Sequence, residues 1–307
     1  MSSAPSWTPE RTTEPERAAG LIAAVAPELR GVPVVPLSEG WDNTVFRVGD
    51  WTARFPRRAM ALPGFRRELA VLPVVAARLP LPVPEPRWTG TDDDPADPWP
   101  FAVVRFVAGS ELAEVAPPDA AREPAAAALG SFLAVLHAPA TRALVDGVDL
   151  PVDPMRRSEP VARMAQTRAQ LAALAGGGLW SPDPAVDELL RDGARLPAPS
   201  GEPVLVHGDL HVRHLLLDDD LGAAGVIDWG DVCLADPAVD LALGYAAFAG
   251  PARAALLDAY GGVGAERELR ARCLAVRLSA LLAGYAAADD RPALLAEALA
   301  GIGRAVV

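Results

Sequence analysis

Three of the chain's four histidines, His207, His211 and His214, crowd around one aspartate in the stretch VLVHGDLHVRHLLLDDD. Imidazoles this close to a carboxylate can hold a transition metal or can scaffold the carboxylate as a base. A two-metal hydrolytic centre needs further His, Asn and Asp ligands from separate loops. Only His137 lies outside the cluster, near the end of an apolar helical stretch, where packing or capping is its expected role. No H-E-x-x-H run is present either. The centre of the cluster is then Asp209 itself. A short apolar hairpin leads from it to a second carboxylate, Asp228, in GVIDWGD. Phosphoryl transfer needs such a pair, one carboxylate facing the attacking hydroxyl and another holding Mg2+ over the β- and γ-phosphates.

Composition narrows the alternatives. All 28 basic residues are arginine, so a Schiff-base lysine and a P-loop lysine are excluded. The formal charge of −12 argues against nucleic acid or an anionic membrane surface as partner and is compatible with a cationic ligand. Cys233 and Cys273, the only cysteines, suggest neither a disulfide framework nor a cysteine zinc site, and are expected as buried thiols. The polar, acidic N-terminus does not read as a signal peptide, and no uncharged apolar run reaches ~18 residues. A cytoplasmic monomer is expected.

The elements that must position the two carboxylates follow from periodicity. A disordered lead-in is expected to about residue 13, then a helix over 14–29. VPVVPLS, TVFRVGD and WTARFPR read as three antiparallel strands, with a tight turn at Gly49-Asp50. Residues 64–79 return to helical spacing, bent or interrupted by Pro73. PEPRWTG and PFAVVRFV read as two more strands. Beyond Gly109 helices dominate, over 118–137, 160–174, 184–196 and from Asp236 to the end. Three short strands flank the histidine cluster. The expected fold class is α+β, with a five-stranded antiparallel lobe carrying one helix (1–104), a hinge (105–109) and a mostly helical lobe (110–307). Asp236, one residue before Pro237, reads as a helix N-cap.

The order His207-Gly208-Asp209, then His214, then Asp228 is similar to a kinase catalytic loop followed by its metal-binding segment. With EGWDNTVFRV, WTARFPRR, RREL, LPLPVPEP and ADPAVDLA in the expected order, the chain resembles the aminoglycoside/macrolide phosphotransferase family, whose fold is similar to that of protein kinases. The motifs are closest to those of macrolide phosphotransferases. The resemblance implies a bilobal kinase-like fold and a phosphotransferase using Mg2+ and ATP or GTP. It implies that Asp209 is the catalytic base, Asp228 the main metal ligand, His207 a structural histidine, and Asp240 a buried tie to the loop backbone. His214 stands where most members have a metal-binding asparagine, so it either ligates metal or bonds the phosphates.

On the nucleotide side, the resemblance matches Arg54 to the kinase strand lysine and Glu68 to its helix partner. Arg57 and Arg58 are expected in solvent. Ser38 and Asn43 stand at the first hairpin, where they could donate to phosphate oxygens, and Trp41 could serve as a lid. The backbone of Arg105, Phe106 and Val107 would read the purine edge. For the acceptor, Asp231 could meet an amino group and His211 could face the substrate; solvent exposure is the alternative for both. The resemblance implies a small-molecule hydroxyl, on a cationic antibiotic such as a macrolide or aminoglycoside, with resistance by inactivation as the outcome. It equally accommodates a kinase of another hydroxylated metabolite. A catalytically silent nucleotide-binding module is the rival class.

Overall fold

The structure, a computed structural model, describes residues 9–40, 42–92, 94 and 96–307. Trp41 lies outside the described residues, as does most of the expected lead-in. Residues 10 and 11 are not loose: both backbone amides donate to the Arg57 carbonyl, and Arg11 pairs with Asp97 at 2.9 Å and lies over the Trp99 ring. The chain divides into two compact units, 1–77 with 83–107, and 78–82 with 108–307. The segment 78–82, placed in the first lobe by the sequence, therefore packs with the second unit, where the Pro82 carbonyl accepts from Val226.

The first unit contains α1 (Pro15–Val25), β1 (Val34–Glu39), β2 (Asn43–Val48), β3 (Trp51–Pro56), α2 (Leu62–Val75), β4 (Pro86–Thr91) and β5 (Pro100–Arg105). Its five strands form one antiparallel sheet in the order β1-β2-β3-β5-β4. Gly49, at φ 58°, occupies the first central position of the β2–β3 turn, where a two-residue hairpin favours glycine. Side chains alternate across a strand. Ala53, Phe55, Phe101 and Val103 thus join Ile22 of α1 in one core, while Ala102 and Val104 meet Phe65 of α2 on the other face. Helix α1 stops before Pro27, shorter than expected, because a residue preceding proline avoids the α conformation. Helix α2 continues two residues past Pro73 and then tightens into a 3-10 turn.

The second unit contains β6 (Ser110–Glu111), α3 (Leu112–Val115), α4 (Glu123–Leu136), α5 (Pro139–Leu144), α6 (Pro160–Gly176) and α7 (Pro184–Gly193). It continues with β7 (Val204–Val206), β8 (Leu215–Leu217), β9 (Ala223–Val226) and β10 (Cys233–Ala235), then α8 (Ala238–Ala247), α9 (Gly250–Tyr260), α10 (Ala265–Ala288) and α11 (Pro292–Arg304). The strands β6 and β10 carry no sequence signal of their own; both are short and form by pairing with β8 and β7. Every residue of α8 is buried, so it is the central helix of this unit. Helix α10 is long and apolar enough to cross a membrane by composition, and half of that apolar window is buried inside the protein.

Candidate active site

Two short strand pairs bring the loop residues together. β7 and β10 are antiparallel with Val206 opposite Cys233, so the residues following β7 lie beside those preceding β10. This sets His207, Gly208 and Asp209 against Asp231. β8 and β9 pair Leu215 with Val226, and the Ile227 amide donates to the His214 carbonyl at 3.0 Å. The residue entering that hairpin, His214, therefore meets the residue leaving it, Asp228. Gly208 is the one residue type that fits its place. Its φ is 90°, and a Cβ there would fall on the Asp231 carbonyl oxygen, well inside contact distance. Asp228 itself has φ 66°, a left-handed conformation that aspartate tolerates better than most residues and that is enriched at functional sites.

Below the loop, Asp240 of α8 accepts the His207 amide at 2.7 Å and the Gly208 amide at 3.0 Å, and faces His137 Nε2 at 3.2 Å. Burial alone would raise the Asp240 carboxyl, but these donors hold it below its ordinary value. His137, expected to pack or cap, is thus the far end of this tie, and Tyr260 closes it at 3.0 Å from His137 Nδ1. Asp236 caps α8 through Ala238 at 2.8 Å.

Hydrogen-bond partners fix the imidazole tautomers, because a carbonyl can only accept. His207 Nε2 donates to the Ile227 carbonyl at 2.9 Å, and Nδ1 accepts from the Asp209 amide at 3.2 Å. Burial lowers its pKa, so it stays neutral, packed against the buried Trp229 ring. His214 Nδ1 donates to the Asp209 carbonyl at 2.8 Å. Its Nε2 then carries a lone pair and faces Asp228 Oδ2 at 3.3 Å. Two electron-pair donors in contact require a cation between or beside them, either a proton or a metal ion. Burial opposes protonation of His214, yet Asp228 and Asp209 outweigh it and raise the pKa. Donor atoms of Asp209, His211 and His214 also lie within 4.8 Å of one another. Such a group could hold a cation, with Asp228 beside His214 Nε2. His211 differs. Its Nδ1 accepts the Arg213 amide at 3.3 Å, which puts the proton on Nε2, turned to Asp209 Oδ2 at 3.7 Å. Burial and then His214, on which it stacks at 3.8 Å, push its pKa well down.

A residue with no sequence signal sits at the centre of this group. Arg157 Nη2 lies 3.1 Å from Asp209 Oδ1 and 2.7 Å from Asp231 Oδ2, and Nη1 donates to the Gly208 carbonyl. Burial works against the Arg157 charge, but Asp209 and Asp231 prevail and raise its pKa. Asp153 presents it: one carboxylate oxygen accepts the Arg157 amide at 2.7 Å and the other the Ser158 amide at 2.9 Å. Asp231, expected to meet a ligand amine or solvent, is therefore engaged by a guanidinium of the chain itself. Cys233 is buried, with its thiol pushed up to about 12, so it is inert. Beside His211 an apolar pocket opens, lined among others by Leu210, Leu243, Leu278 and Leu282.

In the first unit, Ala53 and Phe55 face the α1 core, so Arg54 between them faces α2, where it is buried and pairs with the buried Glu68 carboxylate. Ser38 is exposed near the end of β1; Asn43 begins β2, and its buried Oδ1 has no partner among the described residues. Arg57 and Arg58 are not solvated as expected. Arg57 Nη1 donates to the Gly40 carbonyl at 2.9 Å, and the buried Arg58 pairs with Asp42 at 3.0 Å, so both hold the tip of the first hairpin. At the end of β5 the Arg105 and Phe106 amides donate to the Glu85 and Asp50 carbonyls, Arg47 covers the Phe106 ring at 3.4 Å, and Val107 is buried.

Known proteins bear on this geometry. A stretch of Bacillus subtilis (strain 168) uncharacterized protein YcbJ is 40% identical over 60 residues, 20% of each chain. Among solved structures, the GDP complex of wild-type aminoglycoside 2'-phosphotransferase-IIIa superposes with a TM-score of 0.67 at 19% identity, covering 95% of this chain and 98% of that one. Macrolide 2'-phosphotransferase MphH from Brachybacterium faecium gives 0.55 at 26% identity, covering 92% and 98%. A choline/ethanolamine kinase family protein from Mesorhizobium loti gives 0.55 at 22%, covering 94% and 92%. The fold is that of these kinase-like enzymes. Residues 33–274, from the first strand through the His207–His214 loop into α10, match the phosphotransferase enzyme family, APH, and the chain belongs to that family.

Proposed function

We propose that this phosphotransferase moves the γ-phosphate of ATP or GTP to a hydroxyl of a small molecule. The observation that carries the reading is the convergence of Asp209, His214 and Asp228, with His214 Nε2 and Asp228 Oδ2 3.3 Å apart. In this reading Asp209 accepts the hydroxyl proton as the new O–P bond forms and the bond to the β-phosphate oxygen breaks, releasing nucleoside diphosphate. Asp228 and His214 would hold Mg2+, which when bound would supply charge neutralisation at the phosphates. Arg54, braced by Glu68, holds the phosphates; Ser38 and Asn43 line their approach; the Arg105–Val107 backbone borders the base. The division of labour follows the two units, nucleotide in the first, metal and acceptor in the second.

For the acceptor, the histidine at position 214 and the likeness to a macrolide phosphotransferase support an antibiotic, with Asp231 and His211 near its polar groups. The likeness to a choline/ethanolamine kinase family protein supports another hydroxylated metabolite. The test is release of nucleoside diphosphate from ATP and from GTP with Mg2+ and a panel of macrolides, aminoglycosides and metabolites. Asp209→Asn should cut acceptor-dependent release by about 10^2- to 10^4-fold while nucleotide still binds. Nucleotide binding with no turnover on any acceptor would leave the silent binding module instead.

A further inference from the structure

A second pocket of the larger unit, open to solvent, lies between α6, α7 and α10. Arg157, Arg163 and Arg277 line it over apolar residues that include Met164, Leu190 and Leu274. Its only lining carboxylate, Glu159, is paired with Arg156 at 2.6 Å, and this hydrogen bond holds Glu159 below its ordinary pKa. Neither Arg163 nor Arg277 is paired with a carboxylate among the described residues. Arg163 Nε donates to the Met155 carbonyl at 2.9 Å. Arg277 Nη1 donates to Gln166 Oε1 at 3.2 Å, and its buried Nε has no acceptor. Burial, then Arg163 and Arg157, pull the Arg277 pKa down, while Asp209 alone works the other way. In a chain of net charge −12, two uncompensated guanidiniums facing one pocket are an unexpected local excess of positive charge. An anion there would relieve the repulsion among the guanidiniums.

We propose that this pocket is an acceptor subsite for anionic oxygens, a carboxylate or a phosphate ester, on the molecule whose hydroxyl meets Asp209. Arg157 makes the connection, since it lines the pocket and its Nη2 lies 3.1 Å from Asp209 Oδ1. The proposal rests on the kinase reading and narrows its acceptor to a class that composition alone did not indicate. The expected cationic acceptor would bring like charge to this wall.

The experiment measures nucleoside diphosphate release by the full chain with Mg2+ and either nucleotide, first with water as the only acceptor and then with three groups of acceptors. The anionic group holds gluconate, glucuronate, glycerate, glycerol 3-phosphate and glucose 6-phosphate, which separates carboxylates from phosphate esters. The cationic group holds kanamycin, erythromycin and choline; the neutral group holds glucose and glycerol. Acceleration by an anionic member is expected, with KM for that member raised roughly 10- to 100-fold in Arg163→Gln and Arg277→Gln. Arg277→Lys should recover part of the loss. Arg168→Gln, on the same helix but paired with Asp187, should change nothing. Acceleration confined to cationic or neutral acceptors, or by none, overturns the subsite and leaves the kinase reading standing if water alone still yields diphosphate. An unchanged KM in both glutamine variants also overturns it. No release even with water removes the kinase reading, and the subsite with it.

Discussion

At the scale of single residues, Asp209 is governed by a neighbour far away in sequence. Arg157 holds Asp209, Asp231 and the Gly208 carbonyl at once, so it is a positioning residue for the loop. Its planar fork is what allows one side chain to serve three acceptors. Lysine offers a point charge and cannot keep that geometry. Arg157→Lys is therefore expected to lower kcat about tenfold or more with nucleotide KM little changed, and Arg157→Gln to lower it further. A merely structural role would instead show as a fall in thermal midpoint with kcat per folded molecule unaltered, so both are measured together. The histidines were readable as a group, but their roles were not. Which nitrogen carries the proton is decided by the Ile227 and Asp209 carbonyls and the Arg213 amide, and none of these follows from residue type. The pairing of His214 with Asp228 was readable in outline because both flank one hairpin.

At the scale of elements, α8 anchors the His207–Asp209 loop through Asp240. The loop's two amides have no strand partner, and a buried amide without an acceptor costs about 1–3 kcal/mol. Asp240→Asn should therefore destabilise the protein by roughly 2 kcal/mol, read as a shift in urea midpoint. The sign of its pH dependence follows from linkage. The folded carboxyl titrates below its ordinary value of 3.8, so its contribution is present above that value and lost as pH falls through the folded value. The gap between wild type and Asp240→Asn should be constant from neutrality to pH 5 and close in more acid solution. The five strands of the first sheet were readable because alternation and turn residues are local signals. The strands β6 and β10 were not, since two or three residues form a strand only where a partner edge already stands. Arg58 was misread for a similar reason: its burial depends on Asp42 across the hairpin tip.

At the scale of the whole molecule, each unit carries its own buried cluster or central helix. A ligand that binds only the folded state stabilises by about 2.7 kcal/mol at a hundredfold excess over Kd. For a chain of this length that corresponds to a rise in thermal midpoint of about 4 °C. ATP or GTP with Mg2+ should raise the midpoint by that order, and Asp228→Asn should abolish the part that depends on Mg2+, measured by calorimetry or dye fluorescence with and without chelator.

The sequence alone determined the family, the α+β class, the order of the motifs and the loop-and-hairpin that carries Asp209, His214 and Asp228. Those rest on contiguous residues, where period, turn chemistry and spacing act over a few positions. Tertiary structure alone decided that Arg157 reaches Asp209, that Asp231 is engaged by it, and that Arg163 and Arg277 on separate helices share one pocket. Such contacts join residues 52 to more than 100 positions apart, and only the packing of α6 and α10 and the pairing of β7 with β10 bring them within reach.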